Sequence, residues 1–222
     1  MTNARAQLPR RIESEADIRA GIRALRRKCA AMRRMHDAAG DPPLRRHKPG
    51  FEGLSRIIVG QQVSLASAAA IWARCTASIA PFTPHKLLAF SDEGLKACGL
   101  SRAKIRTLVA VAAAIDRNQL DLAALEAARD EDAHAVLTAI HGIGPWTADI
   151  YLLFCLGRAD SFAAGDLALQ VAAQLALGLD ARPGPADLST IAERWRPWRG
   201  VAARMLWAYY KVAKEARSGM PV

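Results

Sequence analysis

A chain of 222 residues, 51% hydrophobic and 23% charged, is long enough to bury a sizeable core as one unit or two small lobes. Its 31 Lys and Arg against 21 Asp and Glu leave a formal charge of +10, which suits a polyanionic partner whose counterions basic side chains displace. Cys29, Cys75, Cys98 and Cys155 form no CxxC pair, and no apolar run suits a signal peptide or membrane span; the expectation is a cytoplasmic protein with reduced thiols and no zinc site.

Apolar residues recur at helical spacing almost throughout. Ile18, Ile22, Leu25, Cys29 and Met32 predict one amphipathic helix with Arg26, Arg27, Arg33 and Arg34 outside. A basic connector with prolines follows, from Asp41 to Gly50. Leu65, Ala68, Trp72, Cys75 and Ile79 predict a helix capped by Ser64, and Ser101 caps another carrying Ile105, Leu108, Val109, Ala112 and Ile115. Val136, Leu137 and Ile140 mark one face of a helix that runs into Gly142-Ile143-Gly144. Pro145 then stands where the first turn of a new helix tolerates its missing N–H, and an apolar helix continues from Trp146 to Leu156. Asp166 precedes a further apolar helix, and Ala181–Pro185 marks a late break. No run alternates with period two, so the fold class is all-α, with about ten helices joined by short connections.

Two segments carry chemistry. Glycines two apart permit a tight turn with positive φ and a close backbone approach. The N–H groups that open the second helix then form an anion site reinforced by the helix dipole. A phosphodiester is the natural guest in a basic protein, although a purely structural glycine turn has the same local pattern. Asp166 alone reads as an N-cap.

The stretch from Leu137 to Asp149 resembles the helix-hairpin-helix DNA-binding motif. Followed by the loop Phe162-Ala-Ala-Gly-Asp166, it is similar in order and spacing to the HhH-GPD DNA glycosylase superfamily, although the loop lacks the usual proline. Trp146 stands where lyase-competent relatives place a Schiff-base lysine, and no cysteine follows Cys155 to build a C-terminal iron–sulfur cluster. Phe51–Ser64, with Gln61 and Gln62, resembles the "IvgQQvS" segment of the DNA-3-methyladenine glycosylase II (AlkA-like) subfamily. Glu193–Trp207 resembles its "W-x-PWR…A…W" segment. The match runs over about residues 45–212 and looks closest to compact members without an N-terminal β domain.

The resemblance implies two helical lobes, 1–50 with 167–222 and 51–166, an active-site cleft between them, and the hairpin at about 134–157. It implies Asp166 as the catalytic carboxylate that stabilises positive charge on the deoxyribose. Gly142, Gly144 and Thr147 would hold a phosphate, and carbonyls near Ile140 a monovalent cation (Na+ or K+). Trp207, Trp146 and Tyr151 would line the base pocket, with Trp195 and Trp198 as packing residues. Tyr151 lies one residue beyond a relative's pocket tyrosine, at which this chain has Ile150. Gln61 and Gln62 form a DNA-facing turn in which Gln62 is the candidate wedge; capping the helix break at Gly60 is the alternative role.

The expected activity is monofunctional hydrolysis of alkylated bases of the 3-methyladenine and 7-methylguanine type from damaged double-stranded DNA. The enzyme would be a monomer in a bacterial cytoplasm, associated with the nucleoid, and would need no cofactor. The alternatives are a glycosylase for deaminated or mismatched bases, a non-catalytic hairpin module that only holds DNA, and a helical scaffold with a basic surface.

Overall fold

A computed structural model describes residues 9–218. In chain order its helices are α1 (Glu15–Lys28), α2 (Ala30–Ala39), α3 (Phe51–Gly60), α4 (Leu65–Ser78), α5 (Pro84–Leu88) and α6 (Asp92–Ala97). There follow α7 (Arg102–Asp116), α8 (Asp130–Thr138), α9 (Pro145–Ile150), α10 (Leu167–Leu177), α11 (Pro185–Ala192) and α12 (Arg199–Ser218). Among the described residues the only β pairing is an isolated bridge between Arg11 and Arg158, so the all-α reading holds. No helix among them is long and apolar enough to cross a membrane.

The chain divides into two compact units, one of residues up to Arg46 with those from Gly157 onward, the other His47–Leu156. These boundaries differ from 50/51 and 166/167, and hydrogen bonds give the reason. Residues 157–166 are held in the first unit: Ile12 N–H donates to Gly157 O (2.6 Å), Ala159 N–H to Arg10 O (2.9 Å) and Gly200 N–H to Ala159 O (2.7 Å). His47 belongs to the second unit, its N–H donating to Phe154 O (2.9 Å).

In the first unit, α12 packs on α2, α10 and α1. Leu169, Ala172, Ala173, Val201, Ala202 and Leu206 are buried, as are Trp195 and Trp198, the expected packing tryptophans. The single helix expected over Ile18–Met32 is two helices. Cys29 is extended (φ −143°, ψ 116°), although its N–H still bonds Leu25 O. Arg26 and Arg33 cross the break reciprocally, each guanidinium donating to the other's carbonyl at 3.3 Å, and so satisfy carbonyls in its neighbourhood. Arg204 is buried against the connector, donating to Leu44 O (3.3 Å) and Gly200 O (3.1 Å). Burial, reinforced by Arg46 and Arg45, lowers its pKa to about 10.

In the second unit, α3 is nearly all core (Leu54, Ile57, Ile58 and Val59) and packs against α4, α7 and α9. Ser64 and Ser101 cap α4 and α7 as expected, accepting from Ser67 N–H and Lys104 N–H. The core face of α4 is narrower than predicted. Ile71 and Cys75 are buried, Trp72 is half-buried, and Leu65, in the first turn, is 85% exposed.

Candidate active site and nucleic-acid interface

Asp166 caps α10 from an extended conformation (φ −74°, ψ 121°), its Oδ1 accepting the Leu169 N–H at 3.1 Å. The same oxygen accepts the Trp207 indole N–H from α12, also at 3.1 Å. One carboxylate oxygen is thus fixed by its own helix and by a second one. The preceding loop is closed by Asp166 N–H to Ala163 O (2.9 Å) and by the buried Gln170, which donates to Ala164 O (3.0 Å). Asp166 and Trp207 are both half-buried, and Leu167, next in sequence, is 58% exposed. A carboxylate beside an uncovered apolar side chain can face a substrate that is cationic at one atom and apolar around it.

In the second unit the hairpin forms as expected. α8 ends at Thr138 with Ala139 as its C-cap, Ile140 N–H bonds Leu137 O, Ile143 N–H bonds Ile140 O, and α9 opens with Gly144 as N-cap and Pro145 in its first turn. Ile143 is the buried anchor of the turn. The two glycines serve different needs. Gly142 has φ +81°, and a Cβ there would collide with Thr107 of α7. Gly144 has φ −88° and nothing within 4 Å of a Cβ, so positive φ is required at only one of the two. The amides of Gly142 and Gly144 find no acceptor among the described residues, and both glycines are exposed. The first intrahelical bond runs from Ala148 N–H to Gly144 O, which leaves the Thr147 amide ahead of it as well. His134 Nε2 on α8 lies 3.6 Å from Asp149 Oδ1 beyond the turn. Past Ile150 the backbone widens into a π-helical turn, Tyr151–Cys155, instead of continuing as a regular helix to Leu156.

The turn after α3 is tied to the hairpin. Gln61 Nε2 donates to Oγ1 of the buried Thr147 at 2.8 Å, so Gln61 is a structural clasp at the edge of the turn. Gln62 is exposed in the left-handed region (φ +53°), flanked by exposed Val63 and Leu65. Of the two glutamines, Gln62 is the one that projects. Lys104 of α7, only 9% exposed, donates from Nζ to Val59 O at 2.7 Å, and burial lowers its pKa below the usual lysine value.

Tyr151 does not line a pocket. Its side chain is fully buried, and its hydroxyl accepts the Gly50 N–H at 2.9 Å, fixing the start of α3. Burial raises its phenol pKa well above the ordinary value. Trp146, in the first turn of α9, is half-buried. The structure therefore joins Asp166 with Trp207 in one unit, and Gln61 with Thr147 in the other. Sequence reasoning missed Lys104, Leu65 and Leu167. Only exposed leucines beside singled-out residues could have signalled the last two. Among the described residues, no three His, Cys, Asp or Glu side chains gather as metal ligands. Ile140 O accepts one hydrogen bond, from Ile143, and a carbonyl oxygen has two lone pairs.

Comparison with known proteins gives this arrangement a context. A family described as "HhH-GPD superfamily base excision DNA repair protein" matches residues 55–197. The chain is 28% identical over 176 residues to "Alkylbase DNA glycosidase-like protein mag2" of Schizosaccharomyces pombe, covering 77% of this chain and 82% of that one. It is 31% identical over 168 residues to DNA-3-methyladenine glycosylase 2 of Escherichia coli, covering 71% of this chain and 56% of that protein. Its fold is similar to that of S. pombe 3-methyladenine DNA glycosylase (Mag1) in complex with abasic DNA (TM-score 0.77, 28% identity, 85% of this chain and 95% of the other). It is similar also to the DNA-3-methyladenine glycosidase of Bacillus halodurans (TM-score 0.76, 31% identity, 93% and 94% covered). A match that runs through the hairpin and past the Asp166 loop, over more than half of the sequence, means that the chain belongs to the HhH-GPD superfamily of base excision DNA repair proteins.

Proposed function

We propose that this chain is a monofunctional DNA glycosylase that releases alkylated bases of the 3-methyladenine and 7-methylguanine type from double-stranded DNA, leaving an abasic site. The observation that carries the reading is Asp166, held at the head of α10 by the Leu169 amide and the Trp207 indole. Its similarity to relatives named as 3-methyladenine glycosylases, one of them solved with abasic DNA, supports the substrate class.

The exposed amides of Gly142 and Gly144, with that of Thr147, bind a phosphate of the backbone, a contact that carries no sequence preference. Gln62 fills the gap left by the extruded nucleotide, with Val63 and Leu65 against its neighbours. Trp207 stacks on the extruded base, and a cationic base on an indole face gains on the order of 0.5–2 kcal/mol. The N-glycosidic bond breaks with its electron pair going to the base, which cancels the base's positive charge. Asp166 stabilises the deoxyribose cation that remains, water adds at C1′, and a proton leaves through the carboxylate or to solvent. With tryptophan at position 146, the hairpin from Leu137 to Asp149 carries no lysine for a covalent strand-cleaving route. Ile140 O and neighbouring turn carbonyls suit Na+ or K+, which would add positive charge beside the phosphate. We assign the enzyme to the bacterial cytoplasm as a monomer.

The test is incubation of the protein with methylated duplex DNA, chromatography of released bases, and denaturing gels before and after hot alkali. Free 3-methyladenine or 7-methylguanine, with strand breaks only after alkali, is the expected result. Binding to DNA with no methylated base released would sink the assignment, and breaks before alkali would sink its monofunctional part.

A further inference from the structure

The catalytic reading leaves unused a buried amine, Lys104, whose ammonium donates to a backbone carbonyl. A helix ends with four carbonyls that lack intrahelical donors. At the end of α3, Ile58 O accepts the Gln61 N–H (3.2 Å) and Val59 O accepts the Lys104 ammonium (2.7 Å). A cation at a helix C-terminus is favoured by the dipole, and in a buried site that attraction is weakly screened. One turn along α7 on the same face, Thr107 lies against Gly142, so closely that a Cβ on the glycine would overlap it. Gln61 then bridges to Thr147 at 2.8 Å. One face of α7 thus supports two turns at once, the one bearing Gln62 and the one bearing the exposed hairpin amides, and a side-chain hydrogen bond locks them together.

We infer that Lys104 is a positioning residue for nucleotide extrusion. By holding Val59 it sets where Gln62 projects relative to the phosphate-binding amides of Gly142 and Gly144, so that gripping the backbone and wedging the duplex occur in fixed register. A lysine is suited to this because its compact ammonium on a flexible stem reaches a single carbonyl from within the core. The inference rests on the wedge reading of Gln62.

The experiment uses the full chain with Lys104→Met, which keeps the volume of the stem and removes the ammonium. Three quantities are read: affinity for an undamaged duplex, extrusion reported by 2-aminopurine fluorescence in a duplex, and single-turnover base release from a lesion either paired or placed in an unpaired bulge. The expected result is duplex affinity within about twofold of wild type, and extrusion and release from the paired lesion down roughly tenfold, since a small misplacement costs heavily in rate. Release from the bulge, where extrusion is cheap, stays near wild type, and Lys104→Arg recovers part of the loss. Equal losses on paired and bulged substrates, or no loss on either, overturn the inference, as does loss of duplex affinity by the variant. Should Lys104→Met fail to fold, Gln61→Leu, which cuts the clasp to Thr147 at a half-buried position, is expected to give the same paired-to-bulged ratio. Extrusion is read without base release, so a wild-type protein that extrudes but releases nothing refutes the proposed activity and leaves this inference standing.

Discussion

Replacing Asp166 by asparagine removes a charge and keeps an acceptor in the place of Oδ1. The hydrogen bonds from Leu169 N–H and Trp207 Nε1–H converge on Oδ1. An asparagine carbonyl in that place accepts both, and Asn is as good an N-cap as Asp. The fold should therefore lose less than about 0.5 kcal/mol. The chemistry loses its counter-charge: at about 4 Å and an effective dielectric near 20, a carboxylate and a sugar cation attract by about 4 kcal/mol. That corresponds to about a thousandfold in rate. Asp166→Ala loses the cap as well, at about 1 kcal/mol, and strands the indole N–H, at about 1 kcal/mol more in a half-buried place. For a chain of this size that lowers Tm by roughly 4–8 °C. The assay pairs single-turnover release of methylated bases with thermal melts of the three proteins. Asparagine should match wild type in Tm and alanine in rate. An asparagine variant as fast as wild type, or one that melts with the alanine variant, would refute the separation of charge from cap argued here.

The remaining predictions concern the elements around the site. Gly142→Ala forces a Cβ into Thr107 at φ +81° and should cost about 2–4 kcal/mol from backbone strain plus overpacking, read as a fall in the denaturant midpoint. Gly144→Ala, with open space around its Cβ, should leave that midpoint unchanged while weakening duplex binding several-fold in fluorescence anisotropy. Tyr151→Phe removes the acceptor of the Gly50 N–H and should cost about 1–2 kcal/mol without a matching loss of glycosylase rate. Burial raises the folded-state pKa of Tyr151, so its stabilising contribution is complete below the unfolded value of about 10 and declines as pH rises beyond it. Wild type should therefore lose Tm above about pH 10 more steeply than Tyr151→Phe. Trp207→Phe keeps an aromatic face and deletes one donor to Asp166; a hydrogen bond to a charged group is worth about 1.5–3 kcal/mol when removed, and release should slow by roughly tenfold or more. An unchanged rate would mean that the indole N–H does not orient the carboxylate.

What the sequence revealed was what it encodes locally. Ser64, Ser101 and Asp166 read as N-caps because a cap is a contact three residues away, and each accepts the expected amide. Gly142, Gly144 and Pro145 read as a turn opening a helix because backbone freedom and a missing N–H are properties of single residues. Helical spacing hid the break at Cys29, since Met32 and Met35 face the core on the far side of it much as an unbroken helix would have placed them. Resemblance assigns Tyr151 to the pocket, one residue beyond a relative's pocket tyrosine, and a step of one residue along a helical segment changes the face; here the side chain is buried. Periodicity assigns a residue to a helix, but does not say which face meets protein and which meets solvent. The pairs that build the site are distant in the chain: Asp166 with Trp207, Gln61 with Thr147, and Lys104 with Val59. Nothing at either member of such a pair announces the other. The family resemblance supplied roles for Asp166 and Trp207 without the hydrogen bond between them, and it did not mark Lys104.

The order in which these parts leave the ribosome follows from their placement. Every residue of the unit spanning His47–Leu156, the hairpin and the Gln62 turn included, has been synthesised before Trp207, which fixes Asp166 from α12. The chain enters and leaves that unit beside one backbone bond, His47 N–H to Phe154 O (2.9 Å), so the unit can close on itself while the rest is still being made. Its partner unit is assembled from both ends of the sequence, and the carboxylate gains its second donor only when α12 arrives. During synthesis, therefore, the surface proposed to grip a nucleic acid precedes the group proposed to act on it, and a nascent chain stalled before α12 would have the first without the oriented form of the second.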